Sequence, residues 1–199
     1  MISILKIILM SLSLAFCILK PSYAIEESEA IEYIENVGQQ AINILKTPID
    51  NLEKRELLFE KMLNNNFDKK LIHRAVLGKA ARGASKEQLV RFGKAFDKHI
   101  VKVYASQLGV YSNQLFIIDK AYKKGKKDTL VSSRIEHETA PPLRIDWRLR
   151  NRGDGTKIID IAIEGVSLLA TKRADFGASI KKGGLHALII DLETKNAEN

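Results

Sequence analysis

The chain has 199 residues, room for one long compact domain, and its 32 basic and 24 acidic side chains give a formal charge of +8. Its single cysteine, Cys17, lies in an apolar N-terminal run, so residues 25–199 hold no disulfide, thiolate nucleophile or cysteine-bound metal. A basic balance suits anionic lipid headgroups or acidic partners; an exported chain with its basic residues scattered among acids is a poor nucleic-acid binder.

The first element is a leader. MISILKIILMSLSLAFCILKPSYA carries Lys6, an apolar run from Ile7 to Leu19 and the breaker Pro21. Small residues at Ser22 and Ala24 place a cleavage point after Ala24. The run is short for a bilayer span, and bulky Phe16 before Cys17 departs from a lipoprotein box. The expectation is a cleaved signal at residues 1–24 and a single domain at 25–199. Without Lys6 and Lys20 the mature charge is 30 minus 24, or +6. Export without disulfides points to a bacterial periplasm.

Helices fill the first half. Ile31, Ile34, Val37, Ala41 and Leu45 recur at helical spacing until Thr47-Pro48 stops them. Leu52 to Leu63 is a second helix. Asp68 caps a third, which carries Leu71, Ile72, Ala75 and Val76 inward and ends near Gly78. Ser85 and Gln88 have capping-box spacing ahead of a long helix bearing Leu89, Phe92, Phe96, Ile100 and Val103, with Tyr104 beside them.

After Tyr111 the period becomes two. Gln114–Tyr122 and Thr129–His137 flank the turn Lys123-Lys124-Gly125-Lys126-Lys127; Leu143, Ile145, Trp147 and Leu149 alternate with Arg144, Asp146, Arg148 and Arg150. Asn151 to Gly155 is a turn, and Lys157–Glu164 returns with Ile159, Ile161 and Ile163 on one face. Leu168 to about Lys182 and Leu185–Leu192 are helices separated by Gly183-Gly184. The fold expected is α+β: a curved antiparallel sheet of about four strands, helices wrapped on its concave face, and an apolar cavity or a solid core between them.

The chemistry-bearing residues give an enzyme little. Gly165-Val166-Ser167-Leu168-Leu169 lacks the second glycine of a G-x-S-x-G elbow, and His73, His99, His137 and His186 have no spacing that nominates a base. Gly165 as a bend and Ser167 as a helix N-cap explain the same residues. Glu136, His137 and Glu138 are strand neighbours pointing to opposite faces, so they cannot converge on a metal ion. Arg152-Gly153-Asp154 is a hairpin turn.

Taken together, APPLRIDWRLR and IIDIAIEGVSLLATKRADFGASIKKGGLHALIIDL resemble the MlaC, or toluene-tolerance, family. The likeness runs through Pro141-Pro142, Asp160, Glu164-Gly165-Val166-Ser167, Thr171-Lys172, Phe176 and Gly183. Upstream it takes in Leu77-Gly78, Ser85-x-x-Gln88, Phe96 and Tyr104, and it covers about residues 30–193. Lys79-Ala80-Ala81-Arg82 departs from the aromatics the family usually has there, a difference that bears on ligand size and partner docking.

The resemblance implies a periplasmic phospholipid-binding shuttle of the Mla lipid-transport system. It would work between an outer-membrane lipoprotein complex and an inner-membrane ABC transporter complex, maintaining outer-membrane lipid asymmetry. It also implies a pocket position at Val166 and another near Leu143. Strand parity adds Ile145, Trp147, Ile161 and Ile163, and helical facing adds Phe96, Ile100 and Tyr104; these inferred members fit plain core as well. The expected state is a monomer with no cofactor beyond bound phospholipid, no metal and no catalytic residue. The alternatives are a cavity-bearing isomerase or esterase, a carrier of hopanoid-related lipid, and a solid-cored adaptor for proteins.

Overall fold

The computed structural model describes residues 24–107, 113–136, 141–153 and 155–198. The leader up to residue 23, His137 and Asp154 lie outside them. Helices α1 (Glu27–Leu45), α2 (Leu52–Asn66), α3 (Lys69–Leu77), α4 (Ala80–Gly83) and α5 (Lys86–Gln107) come first. Strands β1 (Leu115–Lys124), β2 (Asp128–Glu136), β3 (Leu143–Asn151), β4 (Thr156–Ile163) and β5 (Val166–Ser167) follow, and α6 (Leu168–Glu198) closes the chain. No helix among the described residues is long and apolar enough to cross a membrane.

The helix ends follow their capping residues. Asn51 and Asp68 each accept from the third amide of the helix they precede, at Lys54 and Leu71. Ser85 and Gln88 close a reciprocal box, with bonds of 3.0 and 3.1 Å. The glycine pair acts as read: α6 breaks at Gly184, whose φ of 78° and ψ of 170° are not helical.

The strands form one antiparallel sheet in the order β1-β2-β3-β4-β5, one short strand more than expected. Two irregularities bend it. The β1–β2 register shifts between Ile118 and Lys120, and the β3–β4 register shifts between Arg148 and Leu149. Each leaves one extra residue, Asp119 in β1 and Ile159 in β4, which increases local twist and flips side-chain parity. Plain alternation therefore places Ile159, Ile161 and Ile163 together but misses Ile158, which pairs with Leu149 and is fully buried.

Apolar packing divides into three clusters. On the concave sheet face Val131, Leu149 and Ile158 have no exposure and meet Ile34 and Val37 of α1. A helical cluster gathers Val76 and Leu77 of α3, Phe92 and Phe96 of α5, and Phe176, Leu188, Ile189 and Leu192 of α6. A third joins Ile44, Phe59, Met62, Val101 and Ala105 from α1, α2 and α5. At the turn end of the sheet Asp128, 3% exposed, accepts from Arg148 and Arg150. Burial pushes the Asp128 carboxyl up, and the two guanidinium bonds outweigh it, leaving the group below its ordinary value.

Candidate functional site

Between the sheet and the helices lies a half-enclosed cavity of about 310 Å³ with an almost wholly apolar wall. That volume falls at the small end of ligand sites, roughly 300–1,000 Å³. The cavity wall draws on every layer: Val37 and Ala41 of α1, Phe59 and Met62 of α2, Ile72 and Val76 of α3, Phe96 of α5 and the inner face of the sheet. A solid-cored adaptor does not fit this interior.

Seven of the nine residues singled out from sequence line the wall: Ile145, Trp147, Ile161 and Ile163 from the sheet, and Phe96, Ile100 and Tyr104 from α5. Trp147 is held in place, its indole N–H donating to Ser133 Oγ at 2.8 Å while that hydroxyl donates to Ile145 O at 3.1 Å. Burial raises the Tyr104 phenol pKa above its ordinary value, and Asp175 adds to it.

Leu143 and Val166 are corrections of placement, since neither lines the cavity. Both have the parity of the cavity face: Leu143 pairs with Ile135, and Val166 pairs with Ile163, both wall residues. They sit where the sheet ends, however, with 37% and 59% of their surface exposed. Both positions come from the family resemblance, which does not say how far the opposing layer reaches along the sheet.

The bend at Gly165 is a two-residue hairpin turn. Glu164 and Gly165 have φ of 49° and 78°, the pairing a tight turn between β4 and β5 requires. Ser167 caps α6, accepting from Ala170 N at 3.0 Å and donating to Asp160 Oδ2 at 2.7 Å. Asp160 also accepts from Leu169 N at 3.2 Å, so two side chains satisfy the free amides of this helix start.

Sequence reasoning passed over a linked polar group in the lining of the cavity. His73 of α3 lines it, with Nε2 2.7 Å from Asp97 Oδ1; Lys69 Nζ lies 2.8 Å from Asp97 Oδ2 and 2.6 Å from Asn64 Oδ1. The His73 ring stands edge-on to Phe92 and Phe96, with centroids 6.0 and 5.5 Å away. Phe116 of β1 was missed too and stands edge-on to Trp147 at 6.4 Å. For His73 no local pattern was available, because its partner Asp97 is 24 residues away on another helix. Phe116 did have a signal, as the first inward residue of an alternating strand. Ala81, where bulk is missing, packs against the helical cluster and does not line the cavity. No group of three or more His, Cys, Asp or Glu suited to a metal occurs among the described residues.

These features define a class: α+β proteins in which a bent antiparallel sheet and a helical layer keep an apolar cavity between them. The chain belongs to the MlaC protein family, whose model matches residues 35–194. It is 29% identical over 123 residues to the intermembrane phospholipid transport system binding protein MlaC of Haemophilus influenzae, covering 59% of this chain and 57% of that one. It is 24% identical over 106 residues to the toluene tolerance protein ttg2D of Pseudomonas putida, covering 53% and 49%. The chain thus spans about half the length of the curated relatives it matches. A phospholipid-binding protein of Ralstonia solanacearum, solved in complex with a phospholipid, shares the fold with a TM-score of 0.75 and 24% identity, over 84% of this chain and 96% of that one.

Proposed function

We propose that this protein is a periplasmic phospholipid-binding shuttle that carries lipid between Mla-type complexes of the outer and inner membranes and so maintains outer-membrane lipid asymmetry. The observation that carries the reading is the cavity: an almost wholly apolar wall, with Lys69, His73 and Asp97 among its lining residues, in a chain whose family has a phospholipid transport protein as a member. Acyl chains lie against Ile145, Trp147, Ile161, Ile163, Phe96, Ile100 and Tyr104. Leu143 and Val166 flank the end of the sheet, where a lipid enters or a partner docks. Residues 1–24 direct export and are removed, and residues 25–199 act as one monomeric domain without a cofactor. The partners are an inner-membrane ABC transporter complex and an outer-membrane lipoprotein complex.

Transport needs no catalytic group. Burying about 30 methylenes at about 0.8 kcal/mol each would yield roughly 24 kcal/mol relative to water. That exceeds the practical ceiling of noncovalent affinity, about 18–21 kcal/mol. Water is therefore the wrong reference state. Exchange between two dry environments is close to balanced, and the partners set its direction.

Mature protein purified from a bacterial host is expected to carry about one phospholipid, detected by mass spectrometry after gentle extraction. Ile161→Glu, which puts a charge into the apolar wall, is expected to lose most of it while keeping its circular dichroism. A lipid-free wild type would remove the proposal.

A further inference from the structure

We infer that two helix glycines, Gly38 of α1 and Gly93 of α5, are sockets that recess the rings of Phe116 and His73 and thereby set the bore of the cavity for alkyl chains. The inference rests on the apolar-ligand reading above and names the positions that limit ligand width.

A glycine inside a helix is less favourable than alanine, so its presence calls for a reason. Neither Gly38 nor Gly93 is among the residues with positive φ, so the backbone supplies none. The reason is steric. A Cβ at Gly38 would lie 2.5 Å from both Cδ1 and Cε1 of Phe116, and one at Gly93 would lie 2.9 Å from Nδ1 and 3.0 Å from Cε1 of His73. Both rings line the cavity. By contrast, a Cβ at Gly177 of α6 would meet nothing within 4 Å. Close ring contact is thus specific to the two glycines that back cavity-wall rings.

A methyl group at either socket pushes its ring away from the helix behind it. Phe116 has the α1 backbone behind it and Trp147 at its edge, and the indole is tied to Ser133. His73 has the α5 backbone behind it, Phe92 and Phe96 at its edges and Asp97 holding Nε2. Close-packed neighbours do not yield, so displaced rings move into the empty volume between the layers. Loss of one or two methylenes of buried ligand surface weakens binding about tenfold.

The test uses the mature chain, delipidated, with the apolar dye ANS as probe in fluorescence titrations. Gly38→Ala is expected to weaken dye binding about tenfold, the equivalent of one or two methylenes, while Gly177→Ala leaves it unchanged. Adding Phe116→Leu to Gly38→Ala is expected to restore binding, because the smaller side chain clears the methyl. Phe116→Leu alone keeps the question answerable if Gly38→Ala fails to fold, and it is expected to tighten binding by widening the bore. Wild-type dye affinity in a folded Gly38→Ala, no recovery in the double variant, or unchanged binding in Phe116→Leu would each overturn the inference. Co-purified phospholipid in the wild type is scored separately. A lipid-free wild type whose dye binding follows the predicted order keeps the sockets and removes only the shuttle.

Discussion

The helical cluster and the cavity wall are built from similar residues and end differently. Around Phe92 the rings of Phe96 and Phe176 pack at centroid distances of 5.6 and 6.1 Å, one stacked and one edge-on, and Phe92 has no exposure. Around Ile161 the same kinds of side chain face empty space. Helices α3, α5 and α6 close on one another because each can rotate and slide until its apolar stripe is covered. The sheet cannot, because its strands are fixed in register by hydrogen bonds and bent by two bulges. Apolar composition alone does not decide whether a core fills; the stiffness of the layer that carries it does.

The largest effect expected from this contrast is on stability. Phe92→Ala should cost about 3–5 kcal/mol, because a closed cluster must then carry a new void. Ile161→Ala should cost at most about 2 kcal/mol, the low end for such truncations, because one side of the residue already meets a cavity. Urea unfolding of both variants measures the difference, and equal costs would mean that the cavity wall is packed like the core.

A smaller effect belongs to the junction of the two regions. Ser167→Ala removes a cap and should cost about 1 kcal/mol, with ligand loading unchanged. Thermal unfolding and dye titration check the two halves of that statement. Loss of loading without loss of stability would give the hydroxyl a role beyond capping, as an esterase reading requires.

The smallest effect is pH-dependent and belongs to the helical side. Burial holds the His99 imidazole below its ordinary pKa, Lys172 and Lys195 lower it further, and Asp191 opposes them. As pH falls the unfolded chain takes up this proton before the folded one does. Stability from His99 is therefore complete above about pH 6.5 and declines below it. His99→Gln should flatten the drop between pH 7 and pH 5 in melting curves, taken as roughly the histidine titration range.

The sequence carried the elements better than the site. Helix starts at Asp68, Ser85 and Ser167 were legible because a cap works within four residues of itself. The sheet face was legible from the alternation of Ile145, Trp147 and Leu149. The bulge at Ile159 was not, because Ile159, Ile161 and Ile163 already read as one regular alternation and so hide the extra residue. The resemblance put Val166 in the pocket and Leu143 near it; both lie beyond the wall, since how far helices extend over a sheet is a tertiary fact. The polar group of Lys69, His73 and Asp97 joins two helices whose approach no local pattern encodes.

The break at Gly184 also turns one long helix into two sides of the same core. An unbroken helix of 31 residues would run about 46 Å and hold Phe176 about 18 Å along its axis from Leu188. Turned at Gly184, both residues instead reach one cluster, and Asn196 of the last segment donates to Ala95 O at 2.9 Å. The segment after the break supplies Leu188, Ile189 and Leu192, so a single glycine lets one helix serve both as a wall of the helical core and as its lid.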